Sequence, residues 1–303
     1  MSAAESAEPK SKVFPISKFL DDPTPQLPSP SSSGSSGAAK RLIFVGDVHG
    51  MKEPLERLLE KVKFDRASGD HLVLVGDVVN KGTDNSGVVE LGMELGALAV
   101  RGNHDNAVLD AAGMARFRDG TWLSELTTPG EPLDSASVHK PNPHSETTIN
   151  TAAALSAVQL QWLASLPLIL RITLSQHHSS PLANIIVVHA GLVPGVPLDR
   201  QDPHEVMHLR SLVAENGIFR ASEDAGEDGW AADWERAQED LEESQRRTVI
   251  FGHDARRGLQ VRKYSVGLDT GCVYGNQLSA LVLTITEGGI MHRVVQVEAV
   301  EPG

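Results

Sequence analysis

A chain of 303 residues with one cysteine, Cys272, cannot build an internal disulfide framework. Its stability has to come from a packed core, and a reducing compartment suits it. No stretch approaches the roughly 18 to 20 apolar residues of a membrane helix, and no basic-then-apolar leader opens the chain. The expectation is a protein without a membrane anchor, cytoplasmic or nucleocytoplasmic. Basic residues are in deficit too: 27 Lys and Arg face 40 Asp and Glu, a formal net charge of −13. That balance argues against a general nucleic-acid binder and against stable DNA binding. The excess is concentrated in residues 221–243, where ten carboxylates face Arg236 alone. This segment reads as a solvated loop and helix face, and the remainder is mild enough to admit an anionic substrate.

Residues 1–39, dominated by Pro and Ser between 22 and 37, read as a disordered tail. Residues 40–299 read as one domain with its own core and surface insertions near 117–149 and 221–233. Periodicity predicts strands over 42–45, 72–75 and 97–100, separated by helices over 52–63 and 86–95. That β-α-β-α-β order predicts parallel strands with right-handed crossovers. Further helices are expected over 105–113, 151–166 and near 204–214, and further strands over 168–174, 185–188 and 249–251. The runs 265–268, 278–285 and 290–297 read as an antiparallel set completing a second sheet. Trp230, Trp234 and Cys272 read as packing residues, and His177 and His178 as surface.

Function-bearing residues stand where these strands end. RLIFVGDVHG (41–50) ends in Asp47 and His49, LVLVGDVVNKG (72–82) carries Asp77, and AVRGNHD (99–105) carries Asn103 and His104. Asp47 and His49 are two apart, so an extended backbone directs both to one side. Open α/β sheets bind ligands at this edge. His189 follows IIVV and His253 follows VIFG in the same manner. Such carboxylates, imidazoles and an amide exceed the needs of one divalent ion. The count predicts a two-metal site: Asp47 and His49 on one ion, Asn103, His189 and His253 on the other, Asp77 bridging. Such a pair binds and polarises a phosphoryl group and supplies hydroxide for in-line attack. The mixed donors suit zinc, manganese or iron, with cobalt or magnesium possible substitutes in vitro.

These five blocks (GDVHG, GDVVNKG, RGNHD, VHAG and FGH) resemble those of the calcineurin-like metallophosphoesterases. The branch is the one shared by protein Ser/Thr phosphatases and bacterial symmetrical diadenosine tetraphosphatases. The likeness is collinear from Leu42 to about Leu283, and GLDTGCVYGNQLSALVL adds the diadenosine tetraphosphatase C-terminal pattern. It implies an α/β fold of the αββα four-layer sandwich type, a dinuclear centre, and single-step hydrolysis by a metal-bound hydroxide. In the second block the protein phosphatases read GDxVDRG, with an Asp supporting the catalytic His and an Arg on the phosphate. Here Asn80 and Lys81 stand at those positions, as in the eukaryotic diadenosine-tetraphosphatase-like phosphatases, fungal endopolyphosphatases among them. Lys81 offers a point charge where Arg offers a planar fork.

Within that resemblance His104 fits a general acid for the leaving oxygen, and Arg101 and Lys81 fit phosphate contacts. Arg256 and Arg257 would meet a second phosphate of a chain. Asp254 and Asp269 read as acceptors for turn amides. The favoured substrate is a polyanionic phosphate cleaved at an anhydride, inorganic polyphosphate first and dinucleoside polyphosphates or capped RNA next. A Ser/Thr protein phosphatase is the alternative, and a catalytically dead phosphate-binding scaffold a third reading, against which the intact ligand set argues.

Overall fold

The computed structural model describes residues 20–22, 40–118, 144–174, 180–215 and 218–300. A two-residue strand β1 (Leu20–Asp21) precedes β2 (Lys40–Val45), whose last four residues are buried and apolar. Helix α1 (Lys52–Lys61) buries Leu55, Leu58 and Leu59, spaced as one helical face, and accepts Pro54 in its first turn. Strand β3 (Asp70–Leu74) leads to α2 (Asn85–Glu94), capped by the Asp84 carboxylate on the Gly87 amide, and then to β4 (Leu98–Ala99). Helices α3 (Asn103–Arg118), α4 (Glu146–Ala154) and α5 (Ala157–Ser165) follow. Next come β5 (Ile169–Thr173), β6 (Asn184–Val188), α6 (Pro203–His208) and the hairpin β7 (Ser211–Glu215) and β8 (Ile218–Ser222). The chain closes with α7 (Trp230–Glu239), β9 (Thr248–Phe251), β10 (Gln260–Val261), β11 (Ser265–Gly267), β12 (Gln277–Thr286) and β13 (Gly289–Glu298).

Three apolar clusters stack these elements in four layers. One sheet runs β13-β12-β2-β3-β4, the other β1-β5-β6-β9-β11-β10. Phe44, Val73, Val75 and Leu281 of the first meet Leu170, Val187, Ile250 and Val266 of the second in an apolar cluster between the sheets. The outer face of the first sheet is covered by α1, α2, α3 and α5 through Leu58, Val88, Leu109 and Leu163. The outer face of the second is covered by α6 and α7 through Met207, Trp230 and Trp234. This is the αββα sandwich. Among the described residues no helix is long and apolar enough to cross a membrane.

Several expectations are corrected. The predicted helix over 151–166 breaks at Leu155, where Ser156 turns extended and starts α5 with a capping box to Gln159. The predicted helix near 204–214 stops at His208; from Ser211 the chain pairs with β8 instead. The three C-terminal runs divide between sheets: β11 lies parallel to β9, whereas β12 and β13 form a hairpin on β2. The tail is not wholly outside the fold, because Leu20–Asp21 pairs in parallel with Ile169 and Leu170 and Asp22 accepts from Arg171 at 2.8 Å. Helix α3 begins at Asn103, and residue 119–143 structure and His177-His178 lie outside the described residues. The segment at 221–233 is part strand, part loop and part helix.

Cys272 sits in a turn at 1% exposure, and burial pushes its thiol up to about 11. The folded protein is therefore expected to resist iodoacetamide at pH 8 and to be alkylated once denatured. Rapid modification of the native chain, followed by mass spectrometry, would refute this packing role.

Candidate metal centre

Parallel register brings the strand ends level. Val45 pairs with Leu74, and Leu74 with Ala99, so the turns carrying Asp47, Asp77 and Asn103 stand side by side. On the facing sheet Val187 pairs with Ile250, which aligns His189 with His253. Across the sandwich, the His253 amide donates to both oxygens of Asp47, at 3.2 and 3.1 Å. Glycines permit the approach: a side chain at Gly252 would occupy the Asp47 carboxylate, and one at Gly76 (φ +95°) would meet the His189 ring. Among the described residues six non-glycine positions have positive φ, and five of them belong here: His49, Asp77, Asn80, Lys81 and His253. Backbone strain concentrated at one place is characteristic of a functional site.

Asp77 is central. Its Oδ2 lies 3.4 Å from the Nε2 of His49 and 3.4 Å from that of His189, while Oδ1 accepts from the His104 amide at 2.9 Å. His189 directs Nδ1 at the Val75 carbonyl (3.0 Å), and His49 directs Nδ1 at that of Val79 (3.3 Å). A carbonyl can only accept, so both rings carry the proton on Nδ1 and leave Nε2 toward Asp77. His189 Nε2 also lies 2.9 Å from Asn103 Oδ1. Donor atoms of His49, Asp77 and His104, and of Asp47, Asp77 and His189, each lie within 4.8 Å of one another, with Asp77 common to both groups. The His189 and His253 rings meet edge-on at 5.0 Å.

The electrostatics fit a cation. Burial, then Asp269, pushes the Asp47 carboxyl well above the usual carboxylate range. Burial would raise Asp77 as well, but His189 and His49 hold it well below that range. Burial would lower His189, yet Asp77 and Asp47 outweigh it and raise the ring to about 10. Burial holds His49 down to about 4 and His253 down to about 2, keeping both rings neutral. Crowded buried carboxylates beside the neutral His49 and His253 rings make a donor set that divalent ions complete.

A cavity of about 430 Å³ opens over this cluster, lined by Lys81, His104, Arg210, Arg256 and Tyr274 beside the metal-type residues. Lys81 Nζ reaches the Tyr274 hydroxyl at 3.0 Å and lies 3.3 Å from His49 Nε2. Asn80 holds His104: its Oδ1 accepts from the Lys81 amide (2.9 Å), which turns Nδ2 to donate to His104 Nδ1 and Thr148 Oγ1, both at 3.0 Å. Burial lowers the His104 pKa. Asp105, wholly buried, ties the loops together by accepting from the Val79 and Gly102 amides, and burial raises it to about 6.

Two arginines expected at the phosphate are elsewhere. Arg101 is 0% exposed, donates to the Ala164 carbonyl and does not line the cavity. Arg257 turns toward the carbonyls of Ala225, Gly226 and Glu227, and leaves the rim to Arg256. Arg210, unmarked by any motif, stands in the cavity with Nε 3.2 Å from His253 Nε2. Asp269 accepts from the Gly271 amide, as a turn acceptor should.

A metal-dependent hydrolase is the class that this fold and cluster define. Residues 40–274 match the model of the calcineurin-like phosphoesterases, and the chain belongs to that family. It is 26% identical to the zinc-dependent endopolyphosphatase of Saccharomyces cerevisiae, over 86% of this chain and 81% of that one. A symmetrical bis(5'-nucleosyl)-tetraphosphatase of Dechloromonas aromatica is 31% identical, over 79% of this chain and 91% of that protein. The crystal structure of a candidate diadenosine tetraphosphatase, 33% identical, superposes with a TM-score of 0.64 over 93% of this chain and 98% of that one.

Replacing Asp77 by Asn preserves shape and removes the shared charge. Divalent metal per chain, measured by plasma mass spectrometry after dialysis, is expected to fall below that of the unmodified protein. Unchanged stoichiometry in a folded variant would exclude Asp77 as a shared ligand.

Proposed function

We propose that this chain is a dinuclear-metal phosphohydrolase that cleaves phosphoanhydride bonds. In this reading Asp47 and His49 hold one ion, Asn103, His189 and His253 the other, and Asp77 spans both. Ions so held would supply Lewis acidity toward the phosphoryl oxygens and neutralise charge developing there. Arg210 and Lys81 clamp the attacked phosphoryl group from the protein side, and Arg256 at the rim meets the next phosphate of a chain. The yeast relative's polyphosphate and the bacterial relatives' dinucleoside tetraphosphates are both phosphate chains of this kind.

The observation that carries the anhydride reading is the polarity of the Asn80–His104 hydrogen bond. An aspartate at position 80 would accept from His104 Nδ1 and favour the imidazolium. The Asn80 amide donates instead, so Nδ1 must accept and the ring is held neutral with its proton on Nε2. A neutral imidazole can hydrogen-bond to a leaving oxygen but is a weak acid. An alkoxide leaving from Ser or Thr needs a proton. A leaving phosphate, whose second ionisation lies near pH 6, needs only charge stabilisation.

The experiment runs zinc-, manganese-, cobalt- or magnesium-loaded protein against long-chain polyphosphate, diadenosine tetraphosphate, capped RNA and a phosphothreonine peptide. Cleavage of at least one anhydride with the peptide spared is expected; peptide turnover with every anhydride untouched would overturn the reading. Asn80→Asp should shift the ratio of peptide to anhydride kcat/KM toward the peptide by about tenfold or more. An unchanged ratio would remove the hydrogen-bond polarity as its cause.

A further inference from the structure

Arg257 lies outside the cavity, yet its contacts lead back into it. Its guanidinium donates to the Ala225 carbonyl, to that of Gly226 at 3.1 Å and to that of Glu227 at 3.4 Å. Its Nε pairs with Asp254 Oδ2 at 3.1 Å, and Asp254 follows His253 directly. Gly229, at φ +73°, leaves the room this guanidinium fills, since a side chain there would strike Arg257 Nε. The acidic segment is thus gripped by its carbonyls, while Glu227 and Asp228 stay exposed.

Residues on either side of the 224–229 loop, Ser222 and Trp230, hold Arg210. The Arg210 amide donates to the Ser222 carbonyl at 2.8 Å, and the Trp230 amide donates to the Arg210 carbonyl at 3.1 Å. Ser211 Oγ adds a bond to the Asp224 carbonyl at 2.7 Å. Arg210 then projects to His253. Together these contacts form a closed circuit: His253, Asp254, Arg257, the 224–229 loop, Arg210 and His253 again.

We infer that Arg257 is a positioning residue, which latches the acidic segment so that Arg210 is held at the phosphate. A planar fork fastened on three consecutive carbonyls restricts the loop in a way that one point charge cannot. A donor held within a fraction of an ångström of its working position contributes far more than a mobile one. The acidic segment therefore serves the pocket as scaffold rather than as a substrate competitor. This inference rests on the reading that the pocket binds phosphate, and it goes beyond it in assigning the segment and Arg257 a task there.

The test measures inorganic phosphate binding to the full-length, metal-loaded protein by titration calorimetry. Arg257→Ala should weaken phosphate about tenfold with little change in melting temperature, whereas in an Arg210→Ala background the same change should have no further effect. Gly229→Ala, which keeps the Arg257 charge but crowds its seat, should weaken phosphate in the same way. Arg257→Lys should restore only part of the affinity. With the substrate that the enzyme turns over, Arg257→Ala should raise KM more than it lowers kcat. Equal weakening by Arg257→Ala with and without Arg210 would overturn the proposal and return Arg257 to direct or nonspecific electrostatics. Unchanged phosphate affinity in Arg257→Ala would overturn it too. Wild-type protein that binds metal but no phosphate would instead overturn the phosphohydrolase reading, and this inference with it.

Discussion

The Asp77 carboxylate, buried between the Nε2 atoms of His49 and His189, is the constraint on which the rest of the structure turns. A buried charge without compensation costs several kcal/mol, so the two histidines and the turns that present them have to arrive together. His49 comes from the turn after β2, His189 from the turn after β6 in the other sheet. The sandwich therefore closes with its strand ends in register, and its backbone accepts positive φ at five of the site positions. Glycines at 76 and 252 are the corresponding steric condition, because each leaves the space that a side chain from another strand, His189 or Asp47, fills.

Hydrogen-bond polarity at position 80 is a second constraint. Asn80 and an aspartate are nearly the same shape, yet one donates where the other accepts, and His104 inherits the difference. The cations follow the same logic of position over identity. Arg101 is adjacent to Asn103 and His104 in sequence and absent from the cavity, whereas Arg210 is far from them in sequence and faces His253.

The acidic segment joins these features. Its net negative charge reads from composition as a solvated face, and much of it is exposed. Its backbone nonetheless supplies acceptors for Arg257 and frames Arg210, and α7 behind it buries Trp230 and Trp234 against the second sheet. Charge alone would place such a segment far from an anionic substrate. Backbone carbonyls, which composition does not count, connect it to the pocket.

The chain's own residues determined the four-layer class and the six metal-type residues. Strand-ending Gly-Asp and His turns are local features, and a β-branched run followed by glycine leaves a side chain little choice of direction. Also legible were the buried Cys272 and the packing tryptophans, because burial follows from apolar context. Tertiary structure alone decided which strands share a sheet: β11 joins β9, whereas β12 and β13 join the sheet of β2. It also decided the break at Leu155, the pairing of Leu20–Asp21 with β5, and the exchange of Arg101 for Arg210. The physical reason is common to these cases. A long cation or a short strand is satisfied by several partners of nearly equal energy, and the choice among them depends on contacts between residues distant in the chain.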